Sequence, residues 1–118
     1  TFAAAIDVDL PKGAGPDSFS FLPVLKGDHP KNKPIRGPLV IPASGGVMSI
    51  RSGPWKLITG LGSGGFSQPR RVKPKPGGPI GQLYNLASDP AETKNLYLEE
   101  PGVVKRLQDE LVRVRSGP

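Results

Sequence analysis

The chain has 118 residues, a formal net charge of +6 and no cysteine, which excludes disulfides, thiolate zinc sites and cysteine nucleophiles. Glycine supplies 16 residues and proline 15, and 36% of positions are apolar, so short elements, long loops and a modest core are implied. No apolar run reaches the roughly 18 residues of a membrane-spanning helix, and no membrane partner is predicted.

The chain opens at Thr1, and residues 1–8 read as the end of a helix with Phe2 and Ile6 four apart, which suggests a piece of a longer protein. Phe19, Leu22 and Leu25 follow as a small apolar anchor, with Gly27 as its stop. Residues 28–37 are polar and Pro-rich, hence loop. Leu39–Ile41 reads as a short strand closed by Pro42, and residues 43–46 as a turn. Val47–Ser52 and Trp55–Thr59 pair as strands across a Gly53-Pro54 turn. Period-two alternation puts Trp55, Leu57 and Thr59 on one face, with Trp55 expected in the core near Leu107 or Leu111. Arg51 and Lys56 read as ordinary outward-facing strand residues.

Residues 60–81 form a long Gly/Pro-rich loop, and Gln82–Leu86 the last strand. Asp89, Pro90 and Glu92 then have the spacing of a capping box that opens a helical turn, the Asp89 carboxylate accepting from the amide of Ala91 or Glu92. The final helix runs from about Pro101 to Val114, with Val104, Leu107, Leu111 and Val114 on its apolar face. Glu99 and Glu100 lie at its positive end, and Arg113 and Arg115 at its negative end. Strands followed by a helix predict an α+β fold: a small antiparallel sheet of about four strands packed by the C-terminal helix, with long Gly/Pro-rich loops.

Charge is unevenly placed. Residues 29–88 hold nine basic and no acidic side chains, whereas residues 1–28 hold two and four, and residues 89–118 five and six. Such a block attracts anions. Four of its cations, Arg70, Arg71, Lys73 and Lys75, fall within six residues of the long loop. The loop reads either as a solvated segment or as a contact for a polyanion. Nucleic acid is not the predicted partner, because Phe66 is the only aromatic nearby and stacking platforms are otherwise missing.

Other constellations carry no chemistry. Gly60-Leu61-Gly62-Ser63-Gly64-Gly65 follows a strand, but Pro69, Pro74, Pro76 and Pro79 exclude the helix that a dinucleotide site requires. His29 is the only histidine and reads as a solvated loop residue without a second metal ligand. No serine sits in a nucleophile elbow, and the acids cluster at the two ends of the chain, so neither serine-hydrolase nor paired-carboxylate chemistry is supported.

Two stretches carry a family resemblance. Met48-Ser49-Ile50-Arg51-Ser52-Gly53-Pro54-Trp55-Lys56-Leu57 and Leu83-Tyr84-Asn85-Leu86-Ala87-Ser88-Asp89-Pro90-Ala91-Glu92-Thr93-Lys94-Asn95-Leu96 resemble two ordered patterns of the arylsulfatase A-like, formylglycine-dependent sulfatases. These are A-x-R-x-G-x-W-K-L and L-Y-N-L-x-x-D-P-x-E-x-x-N-L. Asp17-Ser18-Phe19-Ser20-Phe21-Leu22-Pro23-Val24-Leu25-Lys26-Gly27 is similar to the family's D-G-x-S-L-L-P-L-L-x-G, and Gly62 to Pro69 to its G-S-G-G-W/F-S-x-P. The resemblance implies that residues 1–118 are the C-terminal subdomain of a sulfatase. Residues 1–27 would be a remnant of the linking helix with its anchor segment, and residues 38–118 the sheet plus helix.

The family's nucleophile is a formylglycine made within C/S-x-P-S/A-R, and its metal is calcium held by Asp and Asn. Neither motif occurs in this sequence, so no catalytic residue, metal ligand or cofactor is expected in this chain. Calcium and formylglycine are implied only for the full-length parent. The resemblance further implies a non-catalytic subdomain that supports the parent's catalytic domain and lines the cleft for a sulfated anionic substrate, in a periplasmic or secreted protein. Candidate substrate contacts are Ser44, Arg70, Arg71, Lys73 and Lys75. At Ser44 the chain reads Pro42-Ala43-Ser44 where many relatives carry His-Ser. The alternative is a free-standing basic module that binds sulfated glycan or another polyanion.

Overall fold

A computed structural model describes residues 1–16, 18–43 and 45–117. It divides into two compact units, Thr1–Gly37 and Pro38–Pro118.

The first unit contains two single-turn helices, α1 (Phe2–Ala5) and α2 (Leu22–Leu25). The expected helix over residues 1–8 is shorter because Asp7 adopts the left-handed region (φ 55°), which a right-handed helix cannot continue through. The Phe21 amide donates to Thr1 Oγ1 at 3.0 Å. The Arg36 guanidinium sits 4.3 Å above the Phe19 ring, a cation–π arrangement. Phe19 and Leu25 are largely exposed and no described residue of this unit is buried, so Phe19, Leu22 and Leu25 do not close a core of their own within it.

The second unit carries the fold that the sequence predicts. Strands β1 (Leu39–Pro42), β2 (Met48–Ser52), β3 (Trp55–Ile58) and β4 (Gln82–Asn85) form one antiparallel sheet in chain order. Helix α3 (Pro101–Ser116) packs on it, which makes the unit α+β. The register aligns Val40, Ile50, Leu57 and Leu83 in one row. Ile50, Leu57 and Leu83 meet Val104, Leu107 and Leu111 of α3 in the core. Val114, the fourth residue of the predicted apolar stripe, is instead 41% exposed.

Trp55 also departs from expectation. It pairs with Ser52 and Asn85 at the end of the sheet, beside the two-residue turn, and is only half-buried. It flanks the core rather than filling it, because the central row is already occupied by Leu57.

The capping box does not open a helix. Glu92 has a left-handed φ of 56°, and the chain turns there. The Asp89 carboxylate accepts instead from the Thr93 amide at 2.9 and 3.0 Å, from Thr93 Oγ1 at 2.8 Å and from the Lys94 amide at 3.0 Å. Beyond the turn the chain lies along β4. The Leu96 amide donates to the Leu83 carbonyl at 2.8 Å, Asn95 Oδ1 accepts from the amides of Leu83 and Tyr97, and Asn95 Nδ2 donates to the Gly81 carbonyl. One asparagine thus satisfies backbone groups along the β4 edge.

Candidate basic-loop site

The loop from Thr59 to Gly81 leaves β3 and returns to β4, and two clasps fix its ends. At the base, Gln82 Nε2 donates to the Gly60 and Gly62 carbonyls at 3.0 Å, while Tyr84 Oη donates to Gln82 Oε1 at 2.7 Å. Higher up, the Ser63 amide donates to the Pro69 carbonyl at 2.9 Å and the Gly64 amide to the Arg70 carbonyl at 3.0 Å. Ser63 Oγ donates to the Ser67 carbonyl at 2.5 Å and accepts from the Gly65 amide at 3.2 Å. The Gln68–Pro69 peptide bond within this clasp is cis. The Ser63 hydroxyl thus fastens the loop.

Glycine is required at Gly62. Its φ is 85°, and a Cβ there would lie 2.7 Å from the Arg70 carbonyl oxygen. This close approach brings the strand of loop after Pro69 back over the glycines. The outcome is a hollow of about 350 Å³ lined by Gly64, Gly65, Arg70 and Arg71.

The Arg71 guanidinium is seated on the β1–β2 turn. A Cβ on Gly45 would fall 2.0 Å from Arg71 Nη2, so the side chain fills the space that a larger residue at position 45 would take. Neither Arg70 nor Arg71 makes an ion pair or a side-chain hydrogen bond among the described residues. Lys73 and Lys75 are exposed and do not line the hollow; Lys75 contributes a backbone turn through its carbonyl, which accepts from Gly78 at 2.9 Å. Two of the four loop cations are thus brought together and two are not. Ser44 lies outside the described residues.

The sheet face opposite α3 carries a second cluster. Lys56 Nζ pairs with Glu92 at 2.5 Å, the side chains being 29% and 31% exposed, so Lys56 faces away from the core as its strand position suggests but is tied by an ion pair. Arg51, its cross-strand neighbour, is exposed. Tyr84 lies beside this pair in the register. Burial raises its pKa first, and the charges of Glu92 and Asp89 raise it further. The Asp89 carboxyl is lowered, first by the hydrogen bond from the Thr93 amide and then by that from Lys94. His29 is half-buried, its Nε2 meeting the Lys33 carbonyl, so it is not simply a solvated side chain.

Sequence reasoning missed the partners of Glu92, Asn95 and Ser63. For Asn95 a signal existed, because asparagine between loop residues commonly serves backbone groups. The Lys56–Glu92 pair spans 36 positions and follows only from the tertiary fold.

Among the described residues no three His, Asp or Glu side chains converge as a metal centre needs. No helix among them is long and apolar enough to cross a membrane.

No family model matches the chain. It is 28% identical over 121 aligned residues to an N-acetylgalactosamine-6-O-sulfatase of Bacteroides thetaiotaomicron, with 98% of this chain and 22% of that protein aligned. A solved structure from work on the metabolism of multiple glycosaminoglycans by Bacteroides thetaiotaomicron superposes with a TM-score of 0.69 at 29% identity, across 98% of this chain and 23% of that one. The chain thus spans between a fifth and a quarter of the length of these proteins. Over almost its whole length it is similar to part of a sulfatase, and the resemblance read from the W-K-L and L-Y-N-L segments stands.

Proposed function

We propose that this chain is the C-terminal, non-catalytic part of a sulfatase, a sulfuric ester hydrolase. It supports the catalytic domain of the same parent protein and presents its basic loop to a sulfated, anionic substrate. The observation that carries this reading is the match of 98% of the chain to about a fifth of a sulfatase, joined to the lack of any nucleophile motif in its own sequence.

The chemistry argues the same way. Sulfate-ester hydrolysis needs a nucleophile and preorganised charge around the transferring group. This sequence offers cations on a loop but no formylglycine precursor motif, and the described residues bring no three acids together. Calcium and formylglycine belong, in this reading, to the remainder of the parent. The curated relative acts on a 6-O-sulfated N-acetylgalactosamine by name. A sulfated polysaccharide is accordingly the proposed substrate class, and the nine cations of residues 29–88 supply a complementary field.

A chromogenic aryl sulfate tests the non-catalytic part directly. The 118-residue chain is expected to show no turnover above the uncatalysed rate, with or without calcium. Calcium-dependent turnover by the chain alone would overturn the proposal.

A further inference from the structure

We propose that Arg70 and Arg71 form a discrete site for one sulfate group of a sulfated saccharide, with Gly64 and Gly65 completing its lining and the exposed Phe66 next in the chain. The choice of ligand rests on the proposed function; the choice of residues rests on geometry.

The four loop cations are equivalent in sequence and unequal in space. Arg70 and Arg71 line one hollow, whereas Lys73 and Lys75 stand apart from it. A guanidinium presents a planar fork that meets two oxygens of an oxyanion at once, while an ammonium acts as a point charge. Both guanidinium groups lack an acidic partner among the described residues. Arg71, though exposed, lies with its guanidinium against Gly45, and a side chain resting on the backbone has less freedom to lose when an anion arrives. Gly65 is half-buried and adds no side chain to the lining, which lets a tetrahedral anion approach its backbone closely. Phe66 follows Gly65 directly in the chain and is 95% exposed, so its ring is free to meet a ligand held in the hollow. A sugar ring that carries the sulfate has an apolar face for such a ring, and a free inorganic anion does not.

The test titrates the full chain with inorganic sulfate, with a sulfated oligosaccharide and with its desulfated counterpart, by calorimetry at low salt. Trp55 fluorescence confirms that each variant is folded at the working temperature. Arg70→Ser/Arg71→Ser is expected to weaken the sulfated oligosaccharide roughly tenfold or more. Lys73→Ser/Lys75→Ser, which removes the same charge, is expected to weaken it about twofold or less. Gly45→Ala keeps every charge but displaces the Arg71 guanidinium, and is expected to weaken binding as Arg71→Ser does. Phe66→Ala is expected to weaken the oligosaccharide and leave inorganic sulfate unchanged.

Equal losses from the two double variants would show a diffuse basic field and overturn the discrete site, while the proposed function stands. Gly45→Ala that binds like the parent chain would overturn the seated geometry of Arg71. An equal effect of Phe66→Ala on both ligands would overturn the saccharide contact. No preference of the unmodified chain for sulfated over desulfated oligosaccharide would remove both this site and the substrate role of the loop.

Discussion

Asp89 shows how one side chain can be chosen correctly and its partners wrongly. Its residue type and its position before Pro90 mark a carboxylate that accepts backbone N–H groups, and it does so. The donors' register is shifted by two residues, because Glu92 turns left-handed and the amides of Thr93 and Lys94 take the places of Ala91 and Glu92. That conformation also swings Glu92 to Lys56. These bonds hold the Asp89 carboxyl below its ordinary value of 3.8. A depressed folded-state value means that the stabilisation is present above the unfolded-state value and is lost as pH falls through the folded one. Asp89→Asn should therefore lower the melting temperature near neutral pH and flatten its decline between about pH 5 and pH 2. Thermal melts of both proteins across that range check this; parallel pH curves would show that the carboxylate's hydrogen bonds contribute nothing acid-dependent.

At the scale of elements, the strands and the long helix were legible because each repeats its own period. Val104, Leu107 and Leu111 recur at helical spacing and alternation gives the face of Leu57, so the helix side of the core was legible, whereas Ile50 and Leu83 join it through a strand register that no local period encodes. Trp55 could not be placed that way. Alternation gives its face but not its distance along the strand from the helix, and it lies in the end row beside the turn. The difference has a measurable consequence. Leu57→Ala, at a site that is 1% exposed, should cost roughly 2–5 kcal/mol. Trp55→Ala should cost less than the roughly 3–5 kcal/mol of a fully buried large aromatic. Denaturant melts rank the two, and a larger loss at Trp55 would move the centre of the core to the sheet's end. The basic loop was the least legible element. Its glycines and prolines announce a loop, but the pinch from Ser63 and Gly64 to Pro69 and Arg70 is made by backbone groups, which no side-chain pattern encodes.

For the whole molecule, charge placement and architecture belong to one arrangement. A sheet and a helix that bury a small apolar core leave a loop of arginines and lysines exposed, without acids along residues 29–88 to neutralise it. The proposed function would have such a subdomain act through remote contacts with a long substrate, and contacts of that kind weaken as salt screens them. The most direct measurement compares two substrates in a full sulfatase that carries this chain, with Arg70, Arg71, Lys73 and Lys75 changed together to Ser. KM for a sulfated polysaccharide should rise several-fold at low salt and converge with that of the unmodified enzyme at high salt, while kcat/KM for a small aryl sulfate stays unchanged. No change in KM for the polysaccharide would contradict the account, and so would an equal loss on both substrates by a variant that melts normally.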